Sequence, residues 1–370
     1  MGGLRRLHEL GILPKLAYVS SVSGGSIAAG FLARAIARAP AGVITDFDAE
    51  FARPLREFTR HNMRTPAILQ RLLPWNWFRS DSGVRAIARA VRRALPDFHL
   101  RDLPAKPRFS FCAADMVFGV AWVFERETMG DDQAGHAAPR EEDDVARAVA
   151  ASACFPPVFN PLRMRLNPAT LLGGAFADPD PAHPVRDRLV RGIRLTDGGD
   201  YDNLGLEPVW QKAATVLVSD GGEPFVPQAQ YGFFSLVRRY ADILYEQVVS
   251  LRKRWLLSSF LAGELTGAYW GIGSDVRHFA ASAPGYGDAR TQDLIAHIRT
   301  DEDVFSDAEA MILQNQGYAL ADVAITTHAP DLVATPSDFR EPFPEWNWTH
   351  AEEVTQALRR SSVRRLLGRW

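Results

Sequence analysis

The chain has 370 residues, 46% of them hydrophobic and 23% charged, with a formal net charge of −2. That length and apolar share allow a sizeable core in one large or two moderate domains, and the near balance of charge excludes the basic footprint of a nucleic-acid binder. Two cysteines, Cys112 and Cys154, make neither a disulfide framework nor a metal-ligand spacing, so a reducing compartment with no metal and no cofactor is expected. The opening Met1-Gly2-Gly3-Leu4-Arg5-Arg6-Leu7-His8 lacks the apolar core of a secretory signal, and no apolar run approaches the roughly 20 residues of a membrane span. A cytoplasmic location is expected, free or peripheral at the inner membrane surface.

Leu4, Leu7 and Leu10 recur at near-helical spacing before Gly11, which predicts a short amphipathic helix up to Leu10. Ala17-Tyr18-Val19 then has strand character, and Ser20-Ser21-Val22-Ser23-Gly24-Gly25-Ser26-Ile27 reads as a strand turning sharply into a helix, with Ser23 at the apex. Gly24 and Gly25 are expected to remove Cβ atoms where the backbone bends. Residues 45–103 are arginine-rich and mostly helical in pattern, interrupted by Pro74-Trp75-Asn76-Trp77-Phe78. Residues 108–114 and 117–125 read as strands with Gly119 at a hairpin bend, and 128–144 as a mobile loop rich in Gly, Asp and Glu. A helix over 145–155 stops at Pro156-Pro157, and 173–188 reads as an exposed insertion. Strands at 194–199 and 214–219 end in Asp197-Gly198-Gly199 and Asp220-Gly221-Gly222, and 234–265 and 307–327 are long helical blocks. Strands interleaved with helices predict an α/β fold with a mostly parallel sheet covered on both faces.

A serine hydroxyl becomes a useful nucleophile only with a base in hydrogen-bond reach. His183, His278 and His350 fall in polar, loop-like contexts and His297 and His328 in or at the ends of helices, so none follows a clear strand. Asp197 and Asp220 are better placed, because ligands of open α/β sheets gather outside the carboxyl ends of strands. Either meets the description if partial burial raises its pKa. Asp197 is favoured by its surroundings, Asp197-Gly198-Gly199-Asp200-Tyr201-Asp202-Asn203-Leu204-Gly205, which keep polar groups and glycines together.

The elbow, Ala148-Val149-Ala150-Ala151-Ser152-Ala153-Cys154-Phe155-Pro156-Pro157-Val158, Leu195-Thr196-Asp197-Gly198-Gly199 with Tyr201-Asp202-Asn203-Leu204-Gly205-Leu206-Glu207-Pro208, and Ser306-Asp307-Ala308-Glu309 with Asn315-Gln316-Gly317-Tyr318-Ala319 follow one another in order. Together they resemble the patatin-like phospholipase family, specifically its bacterial branch. The resemblance implies a single patatin-like domain over 1–370, a core in 1–225 and a helical part in 226–370. It implies a three-layer α/β fold whose mostly parallel central sheet is flanked by helices. It also implies a Ser-Asp dyad, with Ser23 as nucleophile, Asp197 as general base, Gly24 contributing part of the oxyanion site, and Gly25, Gly198 and Gly199 shaping the site turns. The expected activity is hydrolysis of lipid acyl esters, as in phospholipase A or lysophospholipase chemistry, with a lipid or phospholipid substrate.

Two departures stand out. Ser21 occupies the position of the first elbow glycine, and Gly2-Gly3-Leu4-Arg5 aligns with the helix that follows the family's glycine-rich oxyanion loop and not with the loop itself. The first strand and that loop are therefore expected to be missing from this sequence, which makes an impaired hydrolase or a lipid-binding module the alternative. A histidine-dependent α/β-hydrolase is a further alternative. Basic and aromatic clusters at Trp75, Trp77 and Phe78, at 252–261 and in the tail 358–370 are candidates for peripheral membrane contact.

Overall fold

The computed structural model describes residues 1–72, 81–156, 158–175, 184–210, 212–225, 227, 232–300 and 302–362. The chain divides into two compact units, Leu16–Trp210 and Met1–Lys15 with Gln211–Trp370. Trp75, Trp77, Phe78 and His183 lie outside the described residues, as does the tail beyond Ser362.

In the Leu16–Trp210 unit seven strands make one sheet: β1 (Tyr18–Val22), β2 (Arg108–Asp115), β3 (Val120–Phe124), β4 (Met129–Asp131), β5 (Gly135–Ala137), β6 (Leu162–Arg163) and β7 (Arg194–Asp197). β2 is the hub and is buried at every position after Arg108. β3 lies antiparallel along one of its edges. The other edge is shared, with β1 parallel beside Arg108 to Cys112 and β7 antiparallel beside Ala113 to Asp115. β1 and β7 therefore run toward each other and end on neighbouring positions, Val22 beside Cys112 and Asp197 beside Ala113.

The architecture is α/β, but the expected mostly parallel sheet is not what forms: β1 with β2 is the one parallel pairing among the described strands of this sheet. The reason is local. β2 to β5 follow one another through connections too short to hold a crossover helix, so each neighbour must be antiparallel. Gly119, at φ +70°, closes the first hairpin where the sequence places the bend.

The predicted mobile loop at 128–144 is also different, because β4 and β5 form a hairpin inside it. Strand alternation is hidden there by glycines that the packing requires: a Cβ on Gly130 would lie 2.2 Å from the Gly135 carbonyl oxygen. Asp131 is buried in this hairpin, as is Asp115 at the end of β2. One oxygen of each accepts turn amides, from Val117 at 2.7 Å for Asp115 and from Gln133 and Ala134 at 2.8 and 2.6 Å for Asp131. The second oxygen of each is buried with no N–H or O–H partner among the described residues. The two carboxyls thus satisfy each other only when they share a proton. Burial first, and then their mutual repulsion, push Asp115 up to about 7; burial likewise raises Asp131.

Two helices hold the sheet at the site. Gly24–Arg38 follows β1 directly and buries Ser26, Ile27, Ala29, Gly30 and Phe31. Val145–Ser152, capped by the Asp144 carboxylate on Arg147 N–H, is buried along almost its whole circumference and is half alanine, which suits a helix wedged among neighbours.

In the second unit a strand over Thr215–Asp220 (β8) pairs in parallel with Thr266–Gly271 (β9), and the helix Phe233–Leu261 makes the crossover. Sequence periodicity marks β8 but not β9. The helix Gly2–Glu9 packs against Asp307–His328, where Gly3 and Gly317 allow close approach and a Cβ on Gly2 would meet the Gln314 carbonyl oxygen at 1.9 Å. Ser306 and Glu309 form a capping box at the start of Asp307–His328, and Asn315 fixes the Phe343 backbone through both its amide groups. Among the described residues no helix is long and apolar enough to cross a membrane.

Candidate active site

Ser23 connects β1 to the helix Gly24–Arg38 in a conformation that side chains rarely adopt, φ +52° and ψ −129°. This strain belongs to the nucleophile-elbow geometry, in which a sharp strand-to-helix turn projects the side chain above the sheet. The bend is made by Ser23 itself and not by the glycines after it, which corrects the role expected for Gly24 and Gly25. Both lie in the helix and are exposed, and a Cβ on either would meet nothing within 4 Å. Their lack of side chains leaves open space above the first helical N–H groups, which have no acceptor within the helix and mark its positive end.

Ser21, in the place of the first elbow glycine, is buried and integrated into the turn. Its hydroxyl donates to the Ser110 carbonyl at 3.2 Å and accepts from Ser26 Oγ at 3.0 Å.

Asp197, the last residue of β7, is 2% exposed. Ser23 Oγ donates to its Oδ2 at 2.7 Å, and Gly199 N–H donates to its Oδ1 at 2.8 Å. Burial pushes the Asp197 carboxyl up to about 7, against the pull of the Gly199 and Ser23 hydrogen bonds, with the nearby Asp200 charge adding to the rise. Asp200 is itself raised by burial while accepting from Thr196 Oγ1 at 3.0 Å. Gly198 has to be glycine because of space: its Cβ would stand 2.2 Å from the Cys112 carbonyl oxygen. Asp202 anchors the rest of the turn by accepting the Leu204 and Glu207 amides at 3.2 and 2.8 Å.

Ser152, within the alanine-rich motif, bridges the two halves of the site. Its Oγ accepts Ser23 N–H at 3.0 Å, donates to the Cys112 carbonyl at 2.6 Å and lies 2.8 Å from Ser26 Oγ. Its carbonyl accepts Gly198 N–H at 3.1 Å. The sequence signal for it is a hydroxyl ending an alanine-rich helix whose one other polar residue is Arg147 near its start.

The other candidates are committed elsewhere. Asp220 accepts from Tyr269 Oη at 2.7 Å and from Gly222 N–H at 2.9 Å, and pairs with Lys253 Nζ at 3.2 Å. His297 Nδ1 lies 2.8 Å from the Asp293 carbonyl, and His328 stacks edge-on against Phe279. Burial raises both thiols, Cys112 to about 12 and Cys154 likewise upward, so neither forms a thiolate near neutral pH. Among the described residues no group of three or more His, Cys, Asp or Glu side chains could hold a metal ion.

A family model for patatin-like phospholipases matches residues 1–210, which contain the elbow, Ser152 and the Asp197 turn. The chain belongs to the patatin-like phospholipase family. A search of curated proteins finds no match to it. Patatin-like proteins are lipid acyl hydrolases, which places this chain among hydrolases of lipid metabolism. The patatin match ends before β8, so the Ser306 and Asn315 segments lie beyond it; the roles seen for them here are helix capping and loop anchoring.

Proposed function

We propose that the chain hydrolyses carboxylic esters of lipids or phospholipids through an acyl-enzyme on Ser23, with Asp197 as general base and no histidine. The observation that carries this reading is the 2.7 Å hydrogen bond from Ser23 Oγ to Asp197 Oδ2. It falls within the distance over which a base can take a proton directly.

Asp197 takes the hydroxyl proton as Ser23 Oγ bonds to the ester carbonyl carbon, and the carbonyl electrons move onto oxygen. The start of the helix Gly24–Arg38, with the Gly24 N–H first, faces that negative charge. Collapse expels the alcohol, which leaves with the proton from Asp197. Water then attacks the acyl-enzyme, gives its proton to Asp197, and the fatty acid departs as Ser23 Oγ is reprotonated. A carboxylate near its ordinary pKa of about 4 is a poor base for an alcohol; one raised by burial to about 7 is better matched.

Peripheral contact with a lipid surface is part of this reading. Tyr240, Ile243, Leu244, Leu251, Leu257 and Leu261 are exposed on the helix Phe233–Leu261, near Arg252 and Arg254, while Leu256 between them is buried. Co-sedimentation with anionic vesicles is the corresponding measurement.

The test of the chemistry is fatty-acid release from phosphatidylcholine and hydrolysis of a p-nitrophenyl ester, with covalent labelling by a fluorophosphonate. Ser23→Ala should abolish all three and Asp197→Asn should nearly do so, while histidine substitutions leave labelling intact. Undiminished hydrolysis in Ser23→Ala overturns the proposal. Lipid binding without labelling of the unmodified chain would favour the lipid-binding alternative.

A further inference from the structure

We infer that Ser152 is the positioning residue of the dyad, one arm of it holding the backbone of the nucleophile and the other the backbone beside the base. The inference rests on the Ser23 and Asp197 roles proposed above. It starts from a geometric problem: β1 and β7 are not neighbours in the sheet but meet end to end on β2, so no ladder hydrogen bonds join them. Something else must set the gap between Ser23 and Asp197.

Ser152 spans that gap. Its side chain accepts Ser23 N–H at 3.0 Å, and its carbonyl accepts Gly198 N–H, one residue past Asp197, at 3.1 Å. It is fully buried at the end of the helix Val145–Ser152 and is tied to the hub strand by its hydroxyl proton, given to the Cys112 carbonyl at 2.6 Å. A hydroxyl has one proton and two lone pairs. With the proton on Cys112, a lone pair is left for Ser23 N–H; Ser26 Oγ, whose own proton goes to Ser21, lies 2.8 Å away.

The bond to Ser23 N–H also bears on the strained turn. A non-glycine residue at φ +52° persists only where its surroundings over-determine it. Removing the acceptor frees the Ser23 backbone to relax, and Oγ moves away from Asp197. The carbonyl arm is main chain and survives any substitution, so side-chain variants sever one half of the clamp selectively.

The experiment compares Ser152→Ala, Ser152→Cys and Ser26→Ala with the unmodified full-length chain and with Ser23→Ala, using p-nitrophenyl butyrate. Ser152→Ala should lower kcat by about 100-fold with KM unchanged, the scale expected when a reacting group is misplaced by about 1 Å. Its kcat/KM profile should shift to higher pH, because loss of the Ser23 hydrogen bond removes one of the interactions that lower the Asp197 pKa. Ser26→Ala removes a hydroxyl that meets Ser152 and Ser21 while leaving its backbone bond to the Ser23 carbonyl in place, and should lose far less. If Ser152→Ala does not fold, Ser152→Cys retains the size but offers only a weak acceptor, and should show the same shift with a smaller loss.

A variant at Ser152 with unchanged kcat and pH profile overturns the inference, as does an equal loss in Ser26→Ala, provided Ser23→Ala is inactive. Activity in Ser23→Ala instead overturns the dyad reading beneath it.

Discussion

Val22 and Asp197 end two strands that run toward each other along one edge of β2, beside the adjacent residues Cys112 and Ala113. The residue after Val22 is Ser23, so this end-to-end arrangement delivers a hydroxyl and a carboxylate to one point from parts of the chain far apart in sequence. With the hydroxyl 2.7 Å from the carboxylate, Asp197→Asn should reduce kcat/KM by about 10²- to 10⁴-fold, the range of general-base contributions. Melting curves of the variant should stay close to those of the unmodified protein, which separates lost chemistry from lost fold.

For the proposed dyad, the pH dependence of catalysis follows from the burial of Asp197. Asp197 must be ionised to accept a proton, so kcat/KM should rise with pH through a midpoint at about 7. Because the Asp200 charge helps raise Asp197, Asp200→Asn should move that midpoint to lower pH. A midpoint near pH 4 in the unmodified protein would contradict this account.

Stability should run the other way. Asp115, Asp131 and Asp197 have folded-state pKa values above those of the unfolded chain, with burial the first cause in each. Between the unfolded pKa and about 7 the folded form therefore holds more protons, and the associated stability is lost as pH rises through about 7. The Tm should fall by roughly 2–4 °C between pH 6 and pH 8. Asp115→Asn, which can donate to Asp131 at any pH, should reduce that fall, as differential scanning calorimetry will show.

The site glycines should separate into two kinds. Gly198→Ala drives a Cβ to 2.2 Å from the Cys112 carbonyl oxygen and should cost about 1–3 kcal/mol together with most of the activity. Gly25→Ala has nothing within 4 Å, and alanine favours the helix by up to about 1 kcal/mol. Urea denaturation should show Gly25→Ala at least as stable as the unmodified chain. Its hydrolysis rate should nevertheless fall, because the added methyl enters the space kept open above the elbow.

Much of the chain was legible from local pattern. The opening helix, β1 and its elbow, β2 and β3 around Gly119, β7, β8 and the two long helices all announce themselves through periodicity and turn chemistry. The hairpin of β4 and β5 did not, because its strands are three residues each and its glycines answer to neighbouring backbone, not to alternation. Strand direction is not legible from the alternation of strands and helices alone, because the short connections from β2 to β5 force antiparallel neighbours.

Sequence by itself placed the chain in its family and narrowed the proposed reacting groups to Ser23 with Asp197 or Asp220, because a serine elbow and an Asp-Gly-Gly strand end are local features with their own chemistry, and the family resemblance favours Asp197. Tertiary structure alone decided how they meet. The end-to-end abutment of β1 and β7, the burial that lifts Asp197, the strain carried by Ser23 and the Ser152 bridge all depend on which segments share the edge of β2. Those are long-range relations between backbone groups, and no spacing within a single segment encodes them.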